Sequence, residues 1–252
     1  MFDLSGRVAL VTGGNGGIGL GFARGLARNG AAVMVAGRDP AKNAAAVTAL
    51  EELGATAASV EVDVTDQESL KAMVARCVEV LGRLDILVNN AGTNIRRPPE
   101  QVTLQDWHTV LNTNLTSAMF AAQAAHPYLK AGGVGRVINN GSMLSIFGMP
   151  LHAAYASSKG AVVQLTKSLA TAWAKDGITV NCVLPGWIDT DLTRGARRDI
   201  PGLDDNVRAR APAGRWGTPE DFEGIAAFYA SDAAAYITGT SIAVDGGYSI
   251  QG

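Results

Sequence analysis

An α/β fold, a doubly wound parallel sheet of seven strands with helices on both faces, is what this 252-residue sequence predicts. Three observations predict it. Short β-branched apolar runs alternate with longer segments of helical period almost to the end of the chain, the pattern of parallel strands joined by crossover helices. The short runs are apolar at nearly every position rather than at every second one, which suits strands covered on both faces. A glycine-rich turn follows the first run and passes directly into helical period. At 47% hydrophobic the chain can bury a full core, and no repeat, low-complexity tract or linker divides it, so a single domain over residues 1–252 is expected.

In order, the runs predict strands over 8–11, 32–36, 59–64, 86–89, 136–140, 179–184 and 241–244, with six helical stretches between them. The third helix shows the logic. Leu70, Met73, Val74, Cys77, Val78 and Leu81 recur on one face, while Lys71, Arg76 and Glu79 fall elsewhere. One stretch, 189–219, is rich in Arg, Gly, Pro and Asp and reads as irregular; in a compact α/β chain such a segment serves as a lid over the substrate.

The bulk properties exclude several classes. A net charge of −2 leaves no broad basic surface for nucleic acid. Cys77 and Cys182 sit in apolar helix and strand patterns without metal or disulfide spacing, so both are expected as buried thiols. His108, His126 and His152 share no ligand spacing, so no metal site is expected. The first residues lack the apolar core of a signal peptide and no run approaches a membrane span, which makes the cytoplasm the expected compartment and a membrane no partner.

The turn after the first strand reads Thr12-Gly13-Gly14-Asn15-Gly16-Gly17-Ile18-Gly19. Glycines there permit positive φ and let a pyrophosphate approach the backbone, and the following helix N-terminus offers unpaired N–H groups. No Lys-Ser or Lys-Thr pair follows, so this is a Rossmann-type dinucleotide turn and not a P-loop. Where an acidic residue binds the ribose 2′-hydroxyl of NAD, the second strand ends Gly37-Arg38-Asp39. Arg38 can pair with a 2′-phosphate, which favours NADP(H); the other reading puts Arg38 on adenine or in water, with Asp39 or the backbone serving the ribose of NAD(H). Asp63, followed by Val64, either meets the adenine amino group or caps the helix that starts near Asp66.

Tyr155-Ala156-Ser157-Ser158-Lys159 opens a long helical pattern, and its i,i+4 spacing puts phenol and ammonium on one face. A phenol titrates near pH 10, so proton exchange near neutrality needs a neighbouring cation. Ser142 follows the fifth strand, at the edge where ligands of open α/β sheets bind, and its hydroxyl can polarise a substrate oxygen. It stands in Asn140-Gly141-Ser142-Met143-Leu144 rather than on a Gly-x-Ser-x-Gly elbow, which argues against a serine hydrolase.

With the glycine turn, Asn89-Asn90-Ala91-Gly92, Asn114, Ser142, Tyr155 with Lys159, and Pro185-Gly186, the chain resembles the short-chain dehydrogenase/reductase family from about Leu4 to Gly247. The resemblance implies a nicotinamide-dependent oxidoreductase. Asn114 would order a water chain to Lys159, Lys159 would lower the phenol pKa and hold the nicotinamide ribose, Ser142 would orient substrate, and Tyr155 would transfer the proton. It further implies a cofactor pocket walled by Gly13, Asn15, Gly16, Gly17, Ile18, Gly19, Asn90, Ala91 and Gly92. The backbone after Pro185, with Gly186, Ile188 and the Thr190 side chain, would meet the nicotinamide amide. Two departures stand out: Asn139-Asn140-Gly141-Ser142 replaces an apolar-Ser-Ser ending, and Gly16 lies where many NADP-dependent relatives carry a basic residue.

For the substrate, Arg96 and Arg97 follow the fourth strand at the ligand edge, and one of them either pairs with a carboxylate or both are solvated. The stretch 89–100 and Gly186-Trp187-Ile188-Asp189-Thr190 resemble the branch of gluconate 5-dehydrogenases and deoxygluconate 3-dehydrogenases, which implies a sugar acid or polyol. Met143, Leu144, Met149, Leu151 and Trp187 suit instead a less polar ketone or a 3-oxoacyl thioester, unless they are wall and core. His152, close before Tyr155, is a further candidate for substrate contact. A non-catalytic dinucleotide sensor is the distant alternative, opposed by the intact Ser142, Tyr155 and Lys159. The apolar tail from Tyr236 to Tyr248 and the helices after Leu104 and Leu151 correspond to subunit interfaces in the family, which implies a homotetramer.

Overall fold

The computed structural model describes residues 2–251. Its strands are β1 (Val8–Thr12), β2 (Ala32–Gly37), β3 (Ala57–Glu61), β4 (Ile86–Asn89), β5 (Arg136–Asn140), β6 (Thr179–Pro185) and β7 (Ser241–Val244). All neighbouring pairs are parallel, in the order β3-β2-β1-β4-β5-β6-β7. The order reverses between β1 and β4, and in such sheets the ligand crevice lies beyond the carboxyl ends of those strands.

The uninterrupted apolar runs have the expected cause. Successive residues of β1, β2 and β4 enter different cores: Ala9, Val11, Val33, Val35, Ile86 and Val88 join one, and Val8, Leu10, Met34, Ala36 and Leu87 join the other. The first core is covered by α1 (Gly17–Arg28), α2 (Pro40–Glu51) and α9 (Glu223–Ala230), the second by α3 (Gln67–Leu81), α5 (Ser117–Ala131) and α6 (Ala153–Trp173). On α3 the buried residues are Leu70, Met73, Val74 and Cys77, and Gly82 ends the helix in the left-handed region at φ 84°. Burial raises the Cys77 thiol to about 12 and the Cys182 thiol to about 11, as inert core thiols require.

Three expectations need correction. The third strand ends at Glu61, not at 64, because its pairing with β2 stops at Gly37 and the Asp63 carboxylate then accepts from the Thr65 N–H and hydroxyl, turning the chain out of the sheet. The connection to β5 is not one regular helix: α4 (Leu104–Leu111) runs through a π-turn, Asn112–Thr116, into α5. The 189–219 segment is not irregular. It holds α7 (Asp191–Asp199) and α8 (Leu203–Arg210), closed around Ala196, Leu203, Val207 and Trp216. Its charges pair along the outer face, Arg194 with Asp189 and Asp191 and Arg208 with Asp204, so the residues that suggested a loop are the solvated side of two short helices.

The sheet is held to its last layer by close approach. A side chain on Gly21 or Gly25 of α1 would overlap the carbonyl oxygens of Pro219 and Glu223, so α1 and the α9 segment touch through backbone. Gly21→Ala is therefore expected to destabilise the protein by about 2 kcal/mol or more. In a chain of this size that lowers the melting temperature by roughly 4 °C or more, and an unchanged melting temperature would contradict the contact.

Candidate active site

The glycine turn brings β1 against the loop after β4. Gly13 and Gly17 have φ of 63° and 50°, and a side chain on Gly19 would overlap the Gly13 carbonyl and the Asn90 amide. The Thr12 hydroxyl accepts from the N–H groups of Asn90 (3.0 Å) and Ala91 (3.1 Å). Asn90 Nδ2 donates to the carbonyls of Thr12 (3.0 Å) and Gly13 (3.1 Å). Helix α1 begins at uncapped Gly16, with no acidic residue in its first turn, so its N–H groups are open to an anion. A cavity of about 610 Å³ lies over this turn, lined by Gly13, Asn15 to Gly19, Asn90 to Gly92, Ser142, Tyr155, Lys159, Pro185, Gly186, Ile188 and Thr190. The glycine cradle and bare helix end fit the pyrophosphate of a dinucleotide, and the volume suits a small-molecule ligand.

A second cavity of about 690 Å³ continues past β2, lined by Arg38, Lys42, Asp63 and Val64 among others. At Gly37 a Cβ would come 2.4 Å from Asn15 Nδ2 and 2.7 Å from Asn43 Oδ1, so any side chain there would displace both amides. Those two side chains join at 2.7 Å across the site. Asp39 turns one carboxylate oxygen onto the N–H groups of Ala41 (2.9 Å) and Lys42 (3.1 Å), capping α2. Asp63 does not cap α3; Asp66 does. The Asp63 carboxyl is held below its usual range by its bonds to Thr65 and lines the same cavity.

The proton-handling groups meet at the other end. Lys159 is buried, and its ammonium donates to the Asn140 carbonyl at 2.6 Å. It lies 5.7 Å from the centre of the Tyr155 ring. Burial raises the Tyr155 phenol and lowers Lys159 to about 8, while the neighbouring Ser142 hydroxyl pulls the phenol back down. Ser142 in turn accepts from the Leu144 N–H at 3.1 Å, which fixes its hydroxyl. Asn114 sits in the π-turn, an irregularity common at functional sites. Its amide donates to the Thr93 carbonyl (2.9 Å) and the Ser158 hydroxyl (3.0 Å) and accepts from the Thr93 N–H (2.8 Å). A Cβ on Gly92 would stand 3.3 Å from Asn114 Oδ1 and 3.6 Å from Lys159 Nζ, so the absent side chain leaves the space between them open.

The residues expected to meet substrate are placed less uniformly. Met143 is 5% exposed and lies in the core, outside the cavity wall. Trp187 packs on Trp216 with ring centres 5.4 Å apart, in the small core of the 189–219 segment. Arg97 is held by Asp106 at 2.6 Å. Arg96 makes no ion pair among the described residues, and its Nε is buried without a partner. His152 is buried 6.4 Å from the Tyr155 ring centre, its Nδ1 unpartnered; burial first, and the charge of Arg96 second, keep it neutral. Leu151 joins the two loops: in the left-handed region at φ 67°, it turns its carbonyl to the Arg97 N–H at 3.1 Å. Lys42 and Asn43 escaped the sequence reading. Of these, only Lys42, a basic residue one turn beyond Arg38, carried a readable signal.

The profile of the family described as Enoyl-(Acyl carrier protein) reductase matches residues 13–249. A gluconate 5-dehydrogenase of Gluconobacter oxydans (strain 621H) is 38% identical over 251 residues, covering 100% of this chain and 98% of that protein. A 2-dehydro-3-deoxy-D-gluconate 5-dehydrogenase of Bacillus subtilis (strain 168) is 41% identical over 248 residues, covering 98% and 96%. The crystal structure of a gluconate 5-dehydrogenase from Burkholderia cenocepacia J2315 in complex with NADP and tartrate superposes with a TM-score of 0.94 at 38% identity, covering 100% of this chain and 98% of that one.

The buried lysine has a consequence for stability. Its folded pKa of about 8 lies below its ordinary 10.5, so between those values the unfolded chain binds more protons than the native one. Wild-type stability relative to Lys159→Met should therefore rise as pH increases from about 8 to 10 and be flat below about 7. Urea unfolding of both proteins across that window checks it, and a pH-independent difference would place the ammonium in a solvated setting.

Proposed function

The chain belongs to the short-chain dehydrogenase/reductase family, and on that premise we propose that it interconverts a secondary alcohol and a ketone on a sugar acid or related hydroxy acid, with NADP(H) as the favoured cofactor and NAD(H) as the alternative. The observation that carries this reading is the meeting of Ser142, Tyr155 and Lys159 at the end of a cleft whose far end presents Arg38 beside Gly37, where no acid stands. A bound nicotinamide dinucleotide supplies or accepts the hydride. Everything else falls to the protein. In the direction of reduction, Ser142 holds the carbonyl oxygen and the Tyr155 phenol, kept neutral by burial, gives it a proton. In the direction of oxidation, the phenolate that must form is favoured by the Lys159 ammonium. Asn114, with its side chain committed to Thr93 and Ser158, serves as the anchor of the water path to Lys159. The relative from Burkholderia cenocepacia was crystallised with NADP, which supports the cofactor preference.

Arg96 is assigned to the substrate carboxylate and Arg97 to the scaffold, because Asp106 already holds the second guanidinium. His152, neutral beside Arg96, can then meet a substrate hydroxyl. A second reading, a reductase of less polar ketones or 3-oxoacyl thioesters, is favoured by exposed apolar side chains near the presumed substrate side: Ile146 at 59%, Leu151 at 41% and Leu192 at 50% exposure. Nicotinamide absorbance decides between them. NADPH with a ketogluconate should give turnover that Tyr155→Phe lowers by about 10²-fold or more without changing cofactor affinity. Arg96→Met should raise KM for the keto acid about 10- to 100-fold and leave a neutral ketone unaffected, whereas Arg97→Met should do little. Turnover confined to neutral ketones or thioesters would overturn the carboxylate assignment.

We infer a cytoplasmic homotetramer. Support comes from Leu104 at 71% and Ile250 at 84% exposure, from the fully exposed Tyr236, and from an apolar groove between α3 and α5 lined by Val74, Phe120, Pro127 and Tyr128. Light scattering should return the mass of four chains, and the mass of one would contradict it.

A further inference from the structure

The adenosine end of the cleft holds a cation that the sequence pattern leaves unassigned. Lys42, in the first turn of α2, lines both cavities. It shares the wall of the first cavity with Asn15 and Gly16 and that of the second with Asn15 and Arg38, and around a Cβ built on Gly16 there is no atom within 4 Å. Helix α2 thus contributes a cation to the wall of both cavities. The nearby carboxylates do not consume it. Asp39 is turned onto the N-terminus of α2 and Asp63 onto Thr65. Among the described residues its one ion pair is with Asp191, the first residue of α7, at 3.7 Å. Both side chains of that pair are open to solvent, at 61% and 80% exposure, and Asp191 keeps a second partner in Arg194 at 3.1 Å.

We propose that Lys42 is a second cation for the 2′-phosphate of the dinucleotide, selecting the phosphorylated cofactor together with Arg38, and that Asp191 competes with that phosphate for its ammonium. The proposal rests on the NADP reading above. A solvent-exposed lysine–aspartate pair at this distance is among the weakest ion pairs. A phosphate dianion offers a charge-assisted bond to the same ammonium, and the four-carbon stem of lysine can swing between the two. Occupation of the phosphate site therefore loosens one tether of α7, whose cap residue Thr190 lies against Gly17 of the turn, where a Cβ would come within 3.1 Å of Thr190 Cγ2.

Calorimetry with adenosine 2′,5′-bisphosphate and with AMP, on the intact chain, tests this without turnover. Wild-type protein should prefer the bisphosphate. Lys42→Met should weaken the bisphosphate about 5- to 10-fold and AMP less than twofold. Asp191→Asn should tighten the bisphosphate about two- to fivefold, and this gain should vanish in the Lys42→Met, Asp191→Asn double variant. Both positions are exposed, and circular dichroism of each variant verifies the fold. Equal losses for the two ligands, no loss, or a gain from Asp191→Asn that persists without Lys42 would each overturn the proposal. Arg38→Met separates the two failures. If wild type has no preference, the NADP reading falls and the proposal with it; if Arg38→Met abolishes a preference that Lys42→Met leaves intact, only the role of Lys42 falls.

Discussion

Close approach of the start of α1 to the Gly13 carbonyl and to the Asn90 side chain of the loop after β4 is the constraint on which the rest of the site depends. It is possible only because position 19 has no side chain. The contact orders a continuous set of hydrogen bonds. Asn90 must present Nδ2 to the carbonyls of Thr12 and Gly13, so its Oδ1 is left to accept from Asn140 Nδ2 at 2.9 Å. The backbone carbonyl of Asn140 then takes the Lys159 ammonium. Phosphate turn, β4 loop, β5 terminus and the lysine of α6 therefore share one frame, and a displacement of any one is felt by the others.

The same frame accounts for the unusual end of β5. Asn139 is fully buried and is satisfied on both sides, accepting from Asn89 and donating to Thr166, each at 2.9 Å. Gly141 is forced by volume: a Cβ would come 2.6 Å from Leu184 Cδ2 and 2.9 Å from Cys182 Sγ on the adjacent strand. The two bulky neighbours and the glycine are one packing solution. Ser142 is undisturbed by it, since its hydroxyl is fixed locally by the Leu144 N–H.

The sheet was readable because its five inner strands bury both faces, and the tyrosine–lysine pair because helical period converts spacing directly into a shared face. What was hidden depended on tertiary neighbours. The helices of 189–219 are built from Arg and Asp whose periodicity is electrostatic, so an apolar pattern could not reveal them. The π-turn at Asn114 carries no compositional mark. Met143 and Trp187 were apolar residues near a site, and only packing could say that one belongs to the core and the other to the wall of the 189–219 segment. Asp63 and Asp66 are equivalent by composition, and the hydrogen bonds to Thr65 and Glu68 decide which turns the chain and which caps the helix.

On the substrate side, local cost points to a ligand. A leucine held at φ 67° is strained by about 1–3 kcal/mol. What that conformation secures is the bond from the Arg97 N–H to the Leu151 carbonyl, which sets the Arg96 loop beside His152. There Arg96 Nε and His152 Nδ1 are both buried and unpaired, each costing about 1–3 kcal/mol. Two strained or unsatisfied loops brought together next to Tyr155, with the neighbouring Arg97 held by Asp106, make poor sense as scaffold. The hydroxylated anion proposed above would complete the set, offering an acceptor to the guanidinium and a hydroxyl to the imidazole at once.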